Sequence, residues 1–165
     1  MKLLHLLLML CFIVSCTSRK NREAYIKETD RQTQLLDTGT GLKKDSIVSG
    51  ISSGGEDKIV STVSVIFNPE HPEYIKIEKK TGADYTYNNQ FYYKNRKLIK
   101  AKIQIKNNTD SGNPDADYRA VYYLHRNRCI KEVNKDPKRS DCHKIKDDSE
   151  TALLDGFPLL PGNMK

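Results

Sequence analysis

"QFYYKNRKLIKA", residues 90–101, and "VYYLHRNRCIKE", residues 121–132, align at an offset of 31 residues without a gap. Phe91 falls on Tyr122, Tyr92 on Tyr123, Ile99 on Ile130 and Lys100 on Lys131. Each copy is an aromatic strand, a polar turn containing asparagine, and a second strand. That order is the signature of a β-hairpin. Two copies are too few for a solenoid, whose units bury their faces only against several neighbours. The echo therefore predicts consecutive hairpins in one antiparallel sheet.

The flanking segments carry the same alternation. In "LIKAKIQIKNN" (98–108), Ile99, Ala101, Ile103 and Ile105 fall on one face and Lys100, Lys102 and Lys106 on the other. Successive strand side chains point to opposite faces, so the sheet is expected to have one dry side and one wet, cationic side. Upstream, "KIVSTVSVIF" (58–67) places Val63, Val65 and Phe67 together. "NPEHP" breaks the ladder because proline supplies no donor. "EYIKIEKK" (73–80) resumes it with Ile75 and Ile77 inward and Lys76 and Glu78 outward, and "TGAD" is a turn before "YTYNNQFYY" (85–93). Near the end, "SETALLDGF" (149–157) reads as a short helix capped by Ser149, with Ala152, Leu153 and Leu154 inward and Gly156 and Pro158 closing it. The expected fold is α+β: a single antiparallel meander of about five to seven strands with one or two short helices. Strand order, and closure into a partial barrel, stay open.

The chain begins differently. Residues 17–56 hold few large apolar groups. "NREAYIKETDRQTQLLD" (21–37) predicts at most a frayed helix touching through Tyr25, Ile26, Leu35 and Leu36. "DTGTGLKKDSIVSGISSGGEDK" (37–58) is rich in Gly, Ser and Asp and reads as linker. At the very start, Lys2 precedes a run from Leu3 to Val14 that is apolar apart from His5. A spanning helix needs about 20 apolar residues, so this run reads as a signal peptide. The expected organisation is a leader over 1–15, a flexible tether over 16–56 and a sheet domain over 57–165.

"IVSC", residues 13–16, resembles the lipobox of bacterial lipoproteins. The resemblance covers residues 1–16 alone. It implies that the chain is cut before Cys16, and that Cys16 receives a diacylglycerol and an amide-linked acyl chain. Two or more acyl chains anchor stably where one does not, so the implied partner is a membrane. Thr17, where aspartate would hold such a protein at the inner membrane, implies the outer membrane. The basic "TSRKN" favours its periplasmic side. A plain secretory signal with an incidental cysteine is the competing reading; in a eukaryotic secreted protein, Asn107-Asn108-Thr109 would be a glycosylation acceptor.

Without the leader, 27 basic residues face 21 acidic ones, a net charge of +6. The excess is scattered, which suits an anionic surface, an acidic protein or an envelope polymer. No nucleic-acid motif is present, and nucleic acid is not an expected partner. Cys129 and Cys142 are expected to form a disulfide in an oxidising compartment. It closes a loop of about 14 residues, worth about 3 kcal/mol by chain entropy. His125, Cys129, Cys142 and His143 form a poorly spaced metal set. "DSGNPDAD" (110–117) lacks the later glutamate of a calcium loop. Neither a metal nor a cofactor is expected.

Nine tyrosines and no tryptophan remain. Six of them, Tyr85, Tyr87, Tyr92, Tyr93, Tyr122 and Tyr123, fall in or beside the hairpins. In each adjacent pair, one ring is expected in the core and the other in solvent. The candidate binding face is thus Tyr92, Tyr93, Tyr122 and Tyr123 with Lys94, Arg96, Lys97, Arg126 and Arg128, since tyrosine buries area while its hydroxyl stays satisfied. Cross-strand pairing accounts for the same rings without a ligand. His71, His125 and His143 sit in no HExxH or nucleophile-elbow context. The expected role is non-catalytic binding or scaffolding at the envelope. An inhibitor or immunity protein against a toxin or cell-wall hydrolase, and a small envelope enzyme, are the rivals.

Overall fold

The computed structural model describes residues 2–54, 57–82, 85–107, 118–134 and 141–162, with side chains over 20–48, 60–82, 86–106, 118–134 and 141–162. Helix α1 runs Lys2–Thr38 and is followed by seven strands: β1 Lys43–Gly54, β2 Asp57–Phe67, β3 Tyr74–Gly82, β4 Tyr85–Lys94, β5 Lys97–Asn107, β6 Tyr118–His125 and β7 Arg128–Asn134. Helix α2 spans Cys142–Asp155, and a single 3-10 turn covers Phe157–Leu159. The strands pair in chain order β1-β2-β3-β4-β5-β6-β7, antiparallel throughout. This is the α+β meander the hairpin echo predicts. The sheet does not close on itself: β1 and β7 are its two edges.

The echo extends to backbone detail. Both matched turns are two-residue loops with left-handed dihedrals, Asn95 and Arg96 at φ 49° and 62°, Arg126 and Asn127 at φ 50° and 60°. Such turns match the twist of the flanking strands. Just beyond each, pairing slips by one residue: Tyr92 faces Lys100 and Tyr93 faces Leu98, while Tyr123 faces Lys131 and Leu124 faces Cys129. The unpaired residues are Ile99 and Ile130, which the offset of 31 already matched. A bulge re-aims side chains. Leu98, not Ile99, therefore reaches the apolar core, and Ile99 turns to the opposite face beside Leu36 and Tyr92.

α2 covers the dry face. Val63, Val65, Ile75, Ile77, Phe91 and Ala101 are fully buried there against Ile145, Ala152 and Leu160. α2 starts seven residues before the expected Ser149 cap. Asp141 is the cap, its carboxylate accepting from the Lys144 amide at 2.9 Å. Lys144 and Asp148 pair one turn apart, and the Cys129–Cys142 disulfide ties the helix start to β7. Ser149 lies mid-helix and buried, its hydroxyl donating to the Lys146 carbonyl. The rest of the connection read as a loop, residues 135–140, lies outside the described residues, as does the "NNTDSGNPDAD" loop from residue 108.

Within the segment read as a tether, residues up to Thr38 lie in α1 and Lys43–Gly54 form β1. β1 pairs along β2, with Ile47 against the core and the Ser46 and Ser64 hydroxyls 2.7 Å apart. α1 lies on the other sheet face. Arg22 donates to the Ile130 carbonyl of β7 at 3.4 Å, Tyr25 to the Leu124 carbonyl of β6 at 2.7 Å, Asp30 meets β5 and β6, and Asp37 meets β3, β4 and β5. Fifteen residues of helix rise about 22 Å, close to the roughly 19 Å of four strand spacings. The helix therefore crosses the strands rather than following them. Among the described residues, no helix is long and apolar enough to cross a membrane.

Candidate functional site

The face expected to be wet is a cross-strand row of alternating lysine and tyrosine. Register places Lys76 beside Tyr92, Tyr92 beside Lys100, Lys100 beside Tyr123, and Tyr123 beside Lys131. The Lys100 ammonium stands 5.2 Å from the Tyr123 ring centre and 6.0 Å from that of Tyr92. Lys102 stands 5.1 Å from Tyr92 and Lys131 5.8 Å from Tyr123. A desolvated cation over a ring gains more than an exposed one.

Two aspartates of α1 close over this row. Asp30 accepts from Lys100 at 2.5 Å and from the Tyr123 hydroxyl at 2.8 Å. Asp37 accepts from Lys76 at 2.9 Å, Lys102 at 2.6 Å and the Tyr92 hydroxyl at 2.8 Å. Glu78 gives Lys76 a second carboxylate at 3.2 Å. The spacing of Asp30, Thr33 and Asp37 puts all three on one helix side, with Thr33 also accepting from Lys100 at 3.1 Å. Leu36 packs into the same seam with Tyr92 and Ile99. Burial pushes Asp37 toward the neutral form, but Lys102, Lys76 and the Tyr92 hydroxyl together outweigh it and hold its carboxyl below the ordinary range. Burial, with the Asp37 charge next in size, drives Tyr92 far above its ordinary value; burial with the Asp30 hydrogen bond does the same to Tyr123.

The other two predicted rings face α2. Tyr93 donates to the Ser149 carbonyl at 2.6 Å, and the Tyr122 and Tyr118 hydroxyls lie 3.1 Å apart. Burial raises both pKa values well above the ordinary tyrosine range. All four tyrosines of the expected binding face are thus buried. The alternation rule correctly sent adjacent rings to opposite faces. It could not reveal that α1 covers the second face, because its sealing groups are aspartates and threonines in a segment with no apolar stripe.

The five cations of that expected face stand elsewhere. Lys94, Arg96 and Lys97 surround the β4–β5 turn, and Arg126 and Arg128 the β6–β7 turn, all exposed. Both turns lie at one end of the sheet, about 10 Å apart by strand spacing. Arg96 and Arg126 occupy left-handed backbone that asparagine and glycine adopt more readily, at a cost of about 1–2 kcal/mol each. Lys94 sits 5.0 Å above the Tyr74 ring and Arg96 6.0 Å from that of Phe157. Phe157, 40% exposed, sets an apolar ring beside Arg96, and Leu154 of α2 is 73% exposed.

Three surface hollows accompany this geometry. One of about 400 Å³ separates Arg22, Glu23 and Ile26 of α1 from Ile130 and Lys131. A second, about 250 Å³, lies between α2 and the strands around Asn89, and a third, about 150 Å³, beside Arg96 and Lys146. None of the three is lined by His125 or His143. His125 instead stacks on Tyr25, ring centres 4.6 Å apart. Cys129 and Cys142 are joined to each other, and among the described residues no cluster of three or more His, Cys, Asp or Glu is placed to hold a metal ion. The Cys16 side chain and the DSGNPDAD run lie outside the described residues. No family model matches the chain, and no curated protein or solved structure matches it either.

Proposed function

We propose that the chain is a non-catalytic binding or scaffold protein of a bacterial cell envelope, held through acyl chains on Cys16 at the periplasmic side of the outer membrane. The "IVSC" stretch supports the anchor. The observation that carries the binding role is how the cations divide. Lys76, Lys100 and Lys102 are neutralised within the fold by Asp30 and Asp37. Lys94, Arg96, Lys97, Arg126 and Arg128 are displayed at one rim. A partner of opposite charge, an acidic protein or an anionic envelope polymer, meets that rim rather than a sheet face.

Affinity capture from the native envelope, with intact-mass analysis of the recovered chain, tests the proposal. The expected result is an acylated amino terminus at Cys16 and an anionic partner released by salt. An unacylated terminus beyond residue 16, or a retained leader in soluble cytosol, removes the location. Nanomolar capture of one soluble acidic toxin moves the protein to the inhibitor class.

A further inference from the structure

We infer that the rim formed by the β4–β5 and β6–β7 turns docks on anionic lipid headgroups, with Phe157 and Leu154 entering the interface between them. This rests on the proposed anchor at Cys16 and makes the rim's anionic partner the lipid surface itself, in place of a separate acidic protein or polymer. Three observations converge on that rim.

The first is backbone. Both turns hold an arginine in left-handed conformation where the paired position of the other turn holds asparagine. Turn geometry alone favours asparagine or glycine at all four places. Among the described residues, Lys97, Arg126 and Arg128 make no ion pair, so their charge is not used inside the fold.

The second is composition. An exposed phenylalanine beside a guanidinium, with an exposed leucine three residues before it, suits a surface of phosphates over hydrocarbon. A soluble polyanion offers the Phe157 ring nothing. The acids of this end are Glu23 beside Ile130 and Lys131, Glu28, bound to Arg31 and Gln32, Glu150 on α2, and Glu70 and Glu73 before β3. The Glu73 carbonyl accepts from the Asn95 amide at 2.8 Å, so this acid adjoins the β4–β5 turn, and the surplus of positive charge lies with Lys97, Arg126 and Arg128 toward the β6–β7 turn.

The third is tether length. α1 meets the sheet at Arg22, whose partner Ile130 is two residues beyond Arg128. Cys16 is six residues earlier. Those residues span about 9 Å as helix and at most about 20 Å extended. An anchored Cys16 therefore holds this corner at the bilayer, where local concentration is high. Each basic residue near an anionic surface then strengthens contact by about fivefold.

The sequence contains no tryptophan, so Phe157→Trp gives the full chain a single indole reporter. Protein recovered from membranes is weighed intact, then reconstituted in vesicles of phosphatidylcholine, alone or mixed with phosphatidylglycerol. The expected result is a blue-shifted indole, quenched by brominated lipid, only in the anionic vesicles and reversed by salt. Adding Arg96→Gln and Arg126→Gln weakens the response by roughly 25-fold while leaving the far-ultraviolet spectrum unchanged. Identical emission in both vesicle types, or indifference to the two arginines, overturns the docking face even when Cys16 is acylated. A shift in protein whose mass shows no acyl group supports the rim and removes the anchor reading instead.

Discussion

Asp30→Ala and Lys100→Met, made separately and together, ask which half of one ion pair the fold depends on. The Lys100 side chain is 7% exposed and that of Asp30 46%. Removing the carboxylate leaves a buried ammonium with only the Thr33 hydroxyl at 3.1 Å and the flanking rings. Stripping a buried charge of its partner costs about 3–5 kcal/mol. Asp30 stands half in water, where its attraction is screened, so the expected loss is about 2–3 kcal/mol. Methionine at 100 keeps the packed stem, and the freed Asp30 is hydrated and still accepts from Tyr123; that change stays within about 1 kcal/mol. Urea unfolding of the disulfide-intact protein reads the difference. With a slope of about 1–3 kcal/mol per molar, Asp30→Ala lowers the midpoint by about 1 M or more. The thermal midpoint falls by about 5–10 °C. The double variant should resemble Lys100→Met, because without the ammonium the missing carboxylate is no longer penalised. Equal losses from the two single changes, or losses that simply add, would refute the seating of α1 described above.

Other perturbations follow from the same geometry. Cys129→Ser should lower stability by about 3 kcal/mol under oxidising conditions and change nothing under reducing ones, as a calorimeter would show. Gly156→Ala puts a methyl 3.0 Å from Val65 Cγ2 and 3.2 Å from the Ala152 carbonyl oxygen, and should cost about 1–3 kcal/mol by overpacking. Because the Asp37 carboxyl is held below its ordinary range, its contribution is complete above pH 3.8 and is lost as pH falls through the folded value. Hydrogen exchange in α1 should therefore rise in acid before the sheet opens. The tyrosines run the other way: Tyr92, Tyr93, Tyr122 and Tyr123 are raised above 10.0, so the unfolded chain loses their protons first and stability declines as pH climbs past that value. Tyrosinate absorbance should show these rings titrating only with unfolding.

The sheet was legible because its signals are local. Alternation over residues 58–67 and 98–107 assigns the strands, and the matched hairpins assign their neighbours. The two bulges were not legible, since the extra residues Ile99 and Ile130 are as apolar as the residues they displace. β1 escaped notice for a different reason. Its serines and glycines have little strand preference, and β2 is what holds them extended. A helix over 21–37 was legible, but its seating on the sheet was not, because it binds through carboxylates and Thr33 to lysines 39–70 residues away. A pattern search looks for an apolar stripe, and this seam has Leu36 and little else. The cations of the candidate site were found by composition. Which of them stay in solvent followed only from the sheet's three layers.

The same layering fixes an order of assembly. Every strand pairs with the next one made, so the sheet grows as the chain lengthens, and local contacts form quickly. α1 is made first, yet Tyr123 lies 93 residues after Asp30. In a chain that reaches its folding compartment amino end first, that ring arrives well after the helix it must meet. Until then the acidic side of the earliest segment and the lysine row of the growing sheet both stand unsatisfied, and a holding factor for either has a defined interval in which to act.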